Sequence, residues 1–392
     1  MDESIGVRIR QFRGKALTQR QLADQAGVSV DLVRKLEQGG RQTASIASLQ
    51  KLARALDVDI ADLLGRRHGV PSSNPASGIV AIRRALTPVD DLLGERPPEA
   101  PGGVAQARRT VEYAWGAYWS GRYELLTSML PSGITELRAT ARASDEATAQ
   151  ELLARMFWVT GCTLVHLGQT DPAFVAIRAA LAAAERGNDP LLAATLRGSI
   201  AWQLLVQGRY TESRDVALTA ARALEPSGAV TPQHLATYGS LVLQGATASG
   251  RAQDTQEALA LVATADEVAQ RIGVDRADYE TYFGPSQVVM QSVDVHLSCE
   301  RYTEALTVAK RMPTECGLPQ AARARHLTDT AVALARTGQR KRALTALLNA
   351  ERVGGKDWLK HQSLSRHTVS ELLDHDRRLP LRALARRIGV HT

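Results

Sequence analysis

Three cysteines in 392 residues, Cys162, Cys299 and Cys316, lie far apart with no C-x-x-C spacing. That scarcity excludes a disulfide framework and argues against a thiolate metal centre. Aromatic residues make up only 4% of the chain, while alanine and leucine recur throughout, so the composition suits helix-on-helix packing and not a β sandwich. No stretch approaches the roughly 18 consecutive apolar residues of a membrane span. The opening Met1-Asp2-Glu3-Ser4 has no apolar secretion core, and a cytoplasmic protein is expected. Gly-rich phosphate loops, G-x-S-x-G elbows and H-E-x-x-H are all missing, and the nine histidines are scattered. No enzyme chemistry, metal site or cofactor is therefore expected.

What is present is apolar and unevenly charged. Hydrophobic residues reach 44%, enough for sizeable cores, and the length suggests two or three domains. The net charge of +7 divides into +4 over residues 1–70, −6 over 71–322 and +9 over 323–392. Basic ends suit phosphate, although a terminal charge run is as a rule a solvated face.

Residues 1–67 read as a compact five-helix domain. Ile5, Ile9 and Phe12 form one apolar stripe. Thr18 and Gln21 form a capping box, Gly27 supplies a left-handed turn, and Ser29 caps a third helix whose inner face is Leu32, Val33 and Leu36. That helix stops at Gly39-Gly40. A fourth carries Ile46, Leu49, Leu52, Ala53 and Leu56, and Asp59 caps a short fifth with Ile60, Leu63 and Leu64. GVPSSNPASG and ERPPEAPGG then break the pattern, so residues 68–103 read as a two-part linker around one short helix over 79–86.

From 104 to 392 similar phrases recur: SGRYELL, LGQTDPAFVAI, QGRYTESRDVAL, SGRAQDTQEAL, CERYTEAL and TGQRKRAL. Anchored on Gly121, Gly168, Gly208, Gly250, Glu300 and Gly338, they are 47, 40, 42, 50 and 38 residues apart. That is the spacing of helix pairs that bury their faces only by stacking. Glu300, standing where the others have glycine, implies a turn that is not left-handed, or a locally different joint. The last 30 residues read as two helices capping the stack.

The phrases QLADQAGVSVDLVRKLEQGG and SLQKLARALDVDIADLL resemble the Xre/Cro-CI class of helix-turn-helix domains. The resemblance implies an all-α protein with a five-helix lambda-repressor-like domain. It implies also that Ser29 to Arg34 open a recognition helix in the major groove and that Gln19 holds a phosphate. On the exposed face Arg34 is placed to fork onto guanine, Asp31 to accept from cytosine, and Val30 to touch a thymine methyl. Asp31 reads equally as a first-turn acid favoured by the helix dipole. Lys35 lies on the same face, and Arg41 is the better phosphate contact. Arg13 and Glu37 occupy the positions of a structural ion pair.

The repeats loosely resemble tetratricopeptide units, which stack into a superhelix with the first helix of each pair lining the concave side. Counting back from each joint places Arg155, Trp158, His166, Trp202, Gln244, Gln287, Met290, Asp294, Arg325 and Thr328 toward that groove. The arginines would meet an acidic group and the tryptophans an apolar one, although Trp158 and Trp202 read equally well as core. Cys162 reads as a packing residue.

A helix-turn-helix domain joined to such an array resembles peptide-pheromone receptors of the RRNPP type and actinobacterial Xre regulators. The expected partners are double-stranded DNA with a palindromic operator, a second copy of the chain, and a peptide or small-molecule effector. The rival reading is an interaction scaffold with a vestigial DNA-binding domain.

Overall fold

In the computed structural model the described residues are 4–14, 17–41, 44–56, 58, 63, 75–89, 93, 101–144, 146–360, 362–375 and 379–390. They form 20 helices and one two-stranded hairpin, so the chain is all-α with a single short exception.

The N-terminal domain contains α1 (Ile5–Arg13), α2 (Gln19–Ala26), α3 (Val30–Glu37) and α4 (Ile46–Ala55). Local chemistry sets each start. Ser4, Thr18, Ser29 and Ser45 each turn a hydroxyl onto the third amide of the helix that follows, and Thr18 with Gln21 completes the reciprocal box. Gly27 is left-handed, at φ 60°. Ile9, Leu22, Val33, Leu36, Leu49 and Leu52 meet in the core with essentially no exposure. Leu63 joins them; the remainder of the expected fifth helix lies outside the described residues.

Helix α5 (Pro75–Leu86) begins earlier than the sequence suggests. It is packed on the array, because Ile82 and Leu86 supply an apolar stripe that is buried in the core of the first repeats. Arg138 donates to the Leu86 carbonyl at 2.6 Å and secures its end.

Six antiparallel pairs follow: α6 (Val104–Trp119) with α7 (Tyr123–Ala143), α8 (Ala147–His166) with α9 (Thr170–Ala184), α10 (Pro190–Val206) with α11 (Tyr210–Ala223), α12 (Pro232–Arg251) with α13 (Thr255–Ile272), α14 (Pro285–Ser298) with α15 (Tyr302–Ala309), and α16 (Gln320–Arg336) with α17 (Arg340–Gly354). Helices α18 (Lys356–Lys360), α19 (Ser363–Leu373) and α20 (Leu379–Arg387) close the stack on Leu347, Trp358 and Leu384.

The six joints share one geometry. The left-handed residues are Gly121, Gly168, Gly208, Gln253, Glu300 and Gly338, with φ from 58° to 78°. After each, an amide reaches back to a carbonyl in the last turn, as in Arg122 to Ala117 at 3.0 Å and Arg301 to His296 at 2.8 Å. This is the six-to-one bond of a Schellman cap. The expected exception at Glu300 does not occur, because that backbone bond imposes the turn on a non-glycine residue. In the fourth joint the turn falls on Gln253, while Gly250 is helical.

Between α13 and α14 lies the hairpin, β1 (Arg276–Asp278) and β2 (Thr281–Phe283), which the helical periodicity does not signal. Phe283 seats its ring on Gly239, where a β-carbon would come within 2.0 Å of it. The hairpin thus enters the concave side of the array.

Candidate functional site: an exposed helix three and a two-chambered groove

Helix α3 presents its outer face to solvent. Val30 is 40% exposed, and the side chains of Arg34 and Lys35 are each 55% exposed. Asp31 lies between them, 2.6 Å from Arg34 and 2.7 Å from Lys35, and these cations hold its carboxyl below its usual range. Ser29 is occupied as the cap, accepting from the Leu32 amide at 3.2 Å. Arg41 is exposed. Gln19 is turned inward: its amide donates to Glu37 at 2.7 Å, and Arg13 pairs with the same carboxylate at 2.7 Å. The Arg13–Glu37 pair ties α1 to the end of α3, and Gln19 brings α2 into the same knot.

Helix α4 faces the array. Arg54 donates to the Arg251 carbonyl at 3.0 Å and lies over the Tyr210 ring, 5.4 Å from its centre. Arg336 donates to the Ala44 carbonyl at 2.8 Å and pairs with Glu371 at 2.8 Å. Ser45 hydrogen-bonds Glu300, the left-handed residue of the fifth joint. His367 meets the Ala44 carbonyl at 3.3 Å, and its burial pushes the imidazole down to about 4. The N-terminal domain is thereby seated on the groove with α3 left outside.

The groove has two chambers. One, of about 350 Å³, is lined by His166, Trp202, Gln244, Met290, Asp294 and Arg325 together with Arg251, Asp329 and Arg336. Asp294 accepts from Arg251 and, at 3.2 Å, from Arg325, which also pairs with Asp329 at 2.9 Å. Two partly exposed guanidinium groups therefore face two buried carboxylates. The arginines hold Asp294 low, while desolvation pushes Asp329 up to about 6.

The other chamber, of about 270 Å³, is lined by Trp158, Trp202, Gln244, Gln287 and Met290, and by Trp115, Trp119 and Tyr282, which the sequence reading did not single out. Helix periodicity places Trp115 and Trp119 on one face of α6. Their proximity to Trp158, at 4.9 Å between the Trp115 and Trp158 rings, is a product of repeat stacking. Tyr282 crosses Trp119 at 5.2 Å.

Arg155 is paired with Glu280 of the hairpin turn at 2.9 Å and covers Tyr279. His166 bonds the Tyr118 hydroxyl at 3.1 Å and stacks on Tyr123. Thr328 is fully buried, donating to the Ala324 carbonyl of its own helix at 3.1 Å and meeting the Ser365 hydroxyl at 3.3 Å. Cys162 is buried against Tyr118 and Trp158, its thiol pushed up to about 12 by desolvation, a packing residue as its sequence context implies.

Among the described residues no group of His, Cys, Asp and Glu is arranged to hold a metal, and no helix is long and apolar enough to cross a membrane.

Residues 9–63 match the Helix-turn-helix family. No curated protein matches the chain in sequence. Solved structures similar to it include Bacillus thuringiensis PlcR in complex with the peptide PapR7 and DNA, at 15% identity and TM-score 0.40, covering 79% of this chain and 93% of that one. A Rap protein complexed with competence and sporulation factor is similar at 13% identity and TM-score 0.44, covering 90% and 99%. The apo competence regulator ComR from Streptococcus vestibularis is similar at 13% and 0.30, covering 84% and 98%. Residues 9–63 thus constitute an Xre-type helix-turn-helix domain, followed in this chain by a tetratricopeptide-like helical array.

Proposed function

We propose that the protein is a sequence-specific transcription regulator that binds operator DNA as a homodimer and receives an effector in the groove of its array. The observation that carries this reading is the placement of α3: Val30, Arg34 and Lys35 stay open to solvent while α4 is fixed to the groove rim through Arg54 and Arg336. A domain of about 65 residues makes too small a footprint for tight specific binding alone. Two copies spaced by whole DNA turns of about 34–36 Å supply the rest. Arg34 and Val30 would read bases, with Asp31 steering Arg34, and Lys35 and Arg41 would hold phosphates.

A ligand changes operator affinity only if it favours one arrangement of array and DNA-binding domain over another. A 100-fold preference is worth ~2.7 kcal/mol, sufficient to vacate a site. The test is fluorescence anisotropy with the DNA upstream of the gene, set against random DNA of equal length and salt. Preference for the upstream DNA of at least about 10³-fold is expected. Equal affinity for both would leave the array as a protein-binding scaffold.

A further inference from the structure

The chamber beneath the hairpin differs in chemistry from its neighbour. Its walls are aromatic, with Trp115 edge-on to Trp158 at 4.9 Å and offset on Trp119 at 6.2 Å. Its charged lining residues, among those described, are Asp278 and Glu280, and each already has a partner: Arg276 at 2.8 Å and Arg155 at 2.9 Å. An ionic ligand would shed its water here and gain no free counter-charge.

Neutral polar groups are in the opposite condition. Trp115 Nε1, Ser240 Oγ and Gln244 Nε2, all on lining residues, are buried without a hydrogen-bond partner among the described residues. Two are donors only and the third is a hydroxyl, so what they lack is an acceptor oxygen. A buried donor left unmade is costly, and structures retain one where something completes it.

The hairpin adds a third observation. Its two-residue turn, Tyr279-Glu280, is left-handed at φ 49° and 54°, a conformation that costs a non-glycine residue energy at both positions. The Glu280–Arg155 pair holds it over the chamber mouth. Left-handed backbone at both positions is what a two-residue hairpin turn requires, and it keeps Tyr282 and Phe283 on the chamber wall.

We propose that this chamber binds an uncharged, planar aromatic small molecule bearing a hydroxyl or carbonyl oxygen, stacked among the tryptophans with that oxygen accepting from the half-buried Gln244 amide. The volume, about 270 Å³, lies near the small end of the ~300–1,000 Å³ typical of ligand pockets and suits two or three fused rings. A peptide, with charged termini and a backbone needing several partners, fits this chamber poorly. The inference rests on the reading that the groove receives an effector, and narrows it to one chemical class.

Titration calorimetry on the full chain with 2-naphthol, 2-naphthoate and 2-naphthylmethylammonium holds the ring constant and varies only charge. One 2-naphthol per chain is expected, with both ions at least tenfold weaker. Gln244→Leu should weaken 2-naphthol about tenfold and leave unsubstituted naphthalene unchanged. Trp202→Ala, on the half-buried wall, should weaken both, with circular dichroism verifying the fold of each variant.

Equal or tighter binding of either ion overturns the proposal, as does 2-naphthol binding that neither variant alters, or none at all. Operator anisotropy keeps the two readings apart. If bound 2-naphthol leaves DNA affinity unchanged, the chamber stands as a site and effector control through it fails. If cell extract releases DNA while 2-naphthol does not bind, control stands and the chamber assignment fails.

Discussion

Arg34 offers the sharpest prediction at the scale of single residues. Its guanidinium is exposed and steered by Asp31, so Arg34→Ala should cost roughly 1–3 kcal/mol at the operator and relax one base position, as read by anisotropy over single-base operator variants. Gln19→Ala should weaken binding across all sequences, because it loosens the Glu37 knot at the start of α2 as well as any phosphate contact. His326 and His367 make a second test. Burial lowers both to about 4 from an ordinary value near 6.5. The unfolded chain therefore binds more protons between those values, and the stability contributed by each neutral ring is complete above pH 6.5 and lost as pH falls toward 4. Each should cost roughly 2 kcal/mol at pH 5. Asp329, raised by burial to about 6, works in the opposite sense. Subtracting the denaturation curves of His367→Gln from those of the unaltered protein isolates the His367 share, and coincident curves from pH 7 to pH 5 would refute it. Of these residues the sequence marks Arg34, by its place on the outer face of α3. It says nothing of His367, whose environment joins the Ala44 carbonyl and Arg336, from segments far off in the chain, to Glu371 and Asp374 of its own helix and cap.

At the scale of elements, backbone angle decides the sign of one substitution made at two places. Gly208 sits at φ 78° with open space where a β-carbon would stand, so Gly208→Ala should destabilise by about 1 kcal/mol through the left-handed turn alone. Gly116, inside α6 and equally uncrowded, has helical backbone, and Gly116→Ala should stabilise by about 0.5 kcal/mol. Thermal melts of the two variants should shift in opposite directions. The helices themselves are legible, since caps such as Thr18, Ser29 and Asp189 and the breakers between them are local chemistry. The joint at Glu300 is not, because residue type suggests its conformation while a hydrogen bond between helix ends imposes it. The hairpin is invisible for a related reason: three-residue strands carry too little periodicity, and Phe283 is buried only because Gly239 of another repeat admits it.

For the whole molecule, the seat of the DNA-binding domain is the feature with most consequence. Arg336 contacts Ala44 and Glu371 together, so Arg336→Ala should release α4 from the array and speed amide exchange over residues 46–55, with α16 unaffected. Unchanged exchange in α4 would place the hold elsewhere. The two chambers share Trp202, Gln244, Met290 and Gln291 as a common wall, and the charged one reaches Tyr210, Arg251 and Arg336, which touch the DNA-binding domain. A ligand on the aromatic side would thus press on the residues that bear the domain. The contact between two copies is proposed to lie in residues 104–392, and light scattering on that fragment should give twice the monomer mass.

By itself the sequence determined the all-α class, the Xre-type domain with its caps and its outer α3 face, and the existence of six helix pairs. Each of these depends on interactions within a few residues, namely capping hydroxyls, apolar spacing of three and four, and recurring turn phrases. Tertiary structure alone decided the Glu280 partner of Arg155, the opposed Asp294 and Arg325, the aromatic chamber, and the docking of α4. Those depend on distances between residues more than a hundred positions apart, or in separate repeats, and no local pattern encodes how far successive helix pairs rotate as they stack.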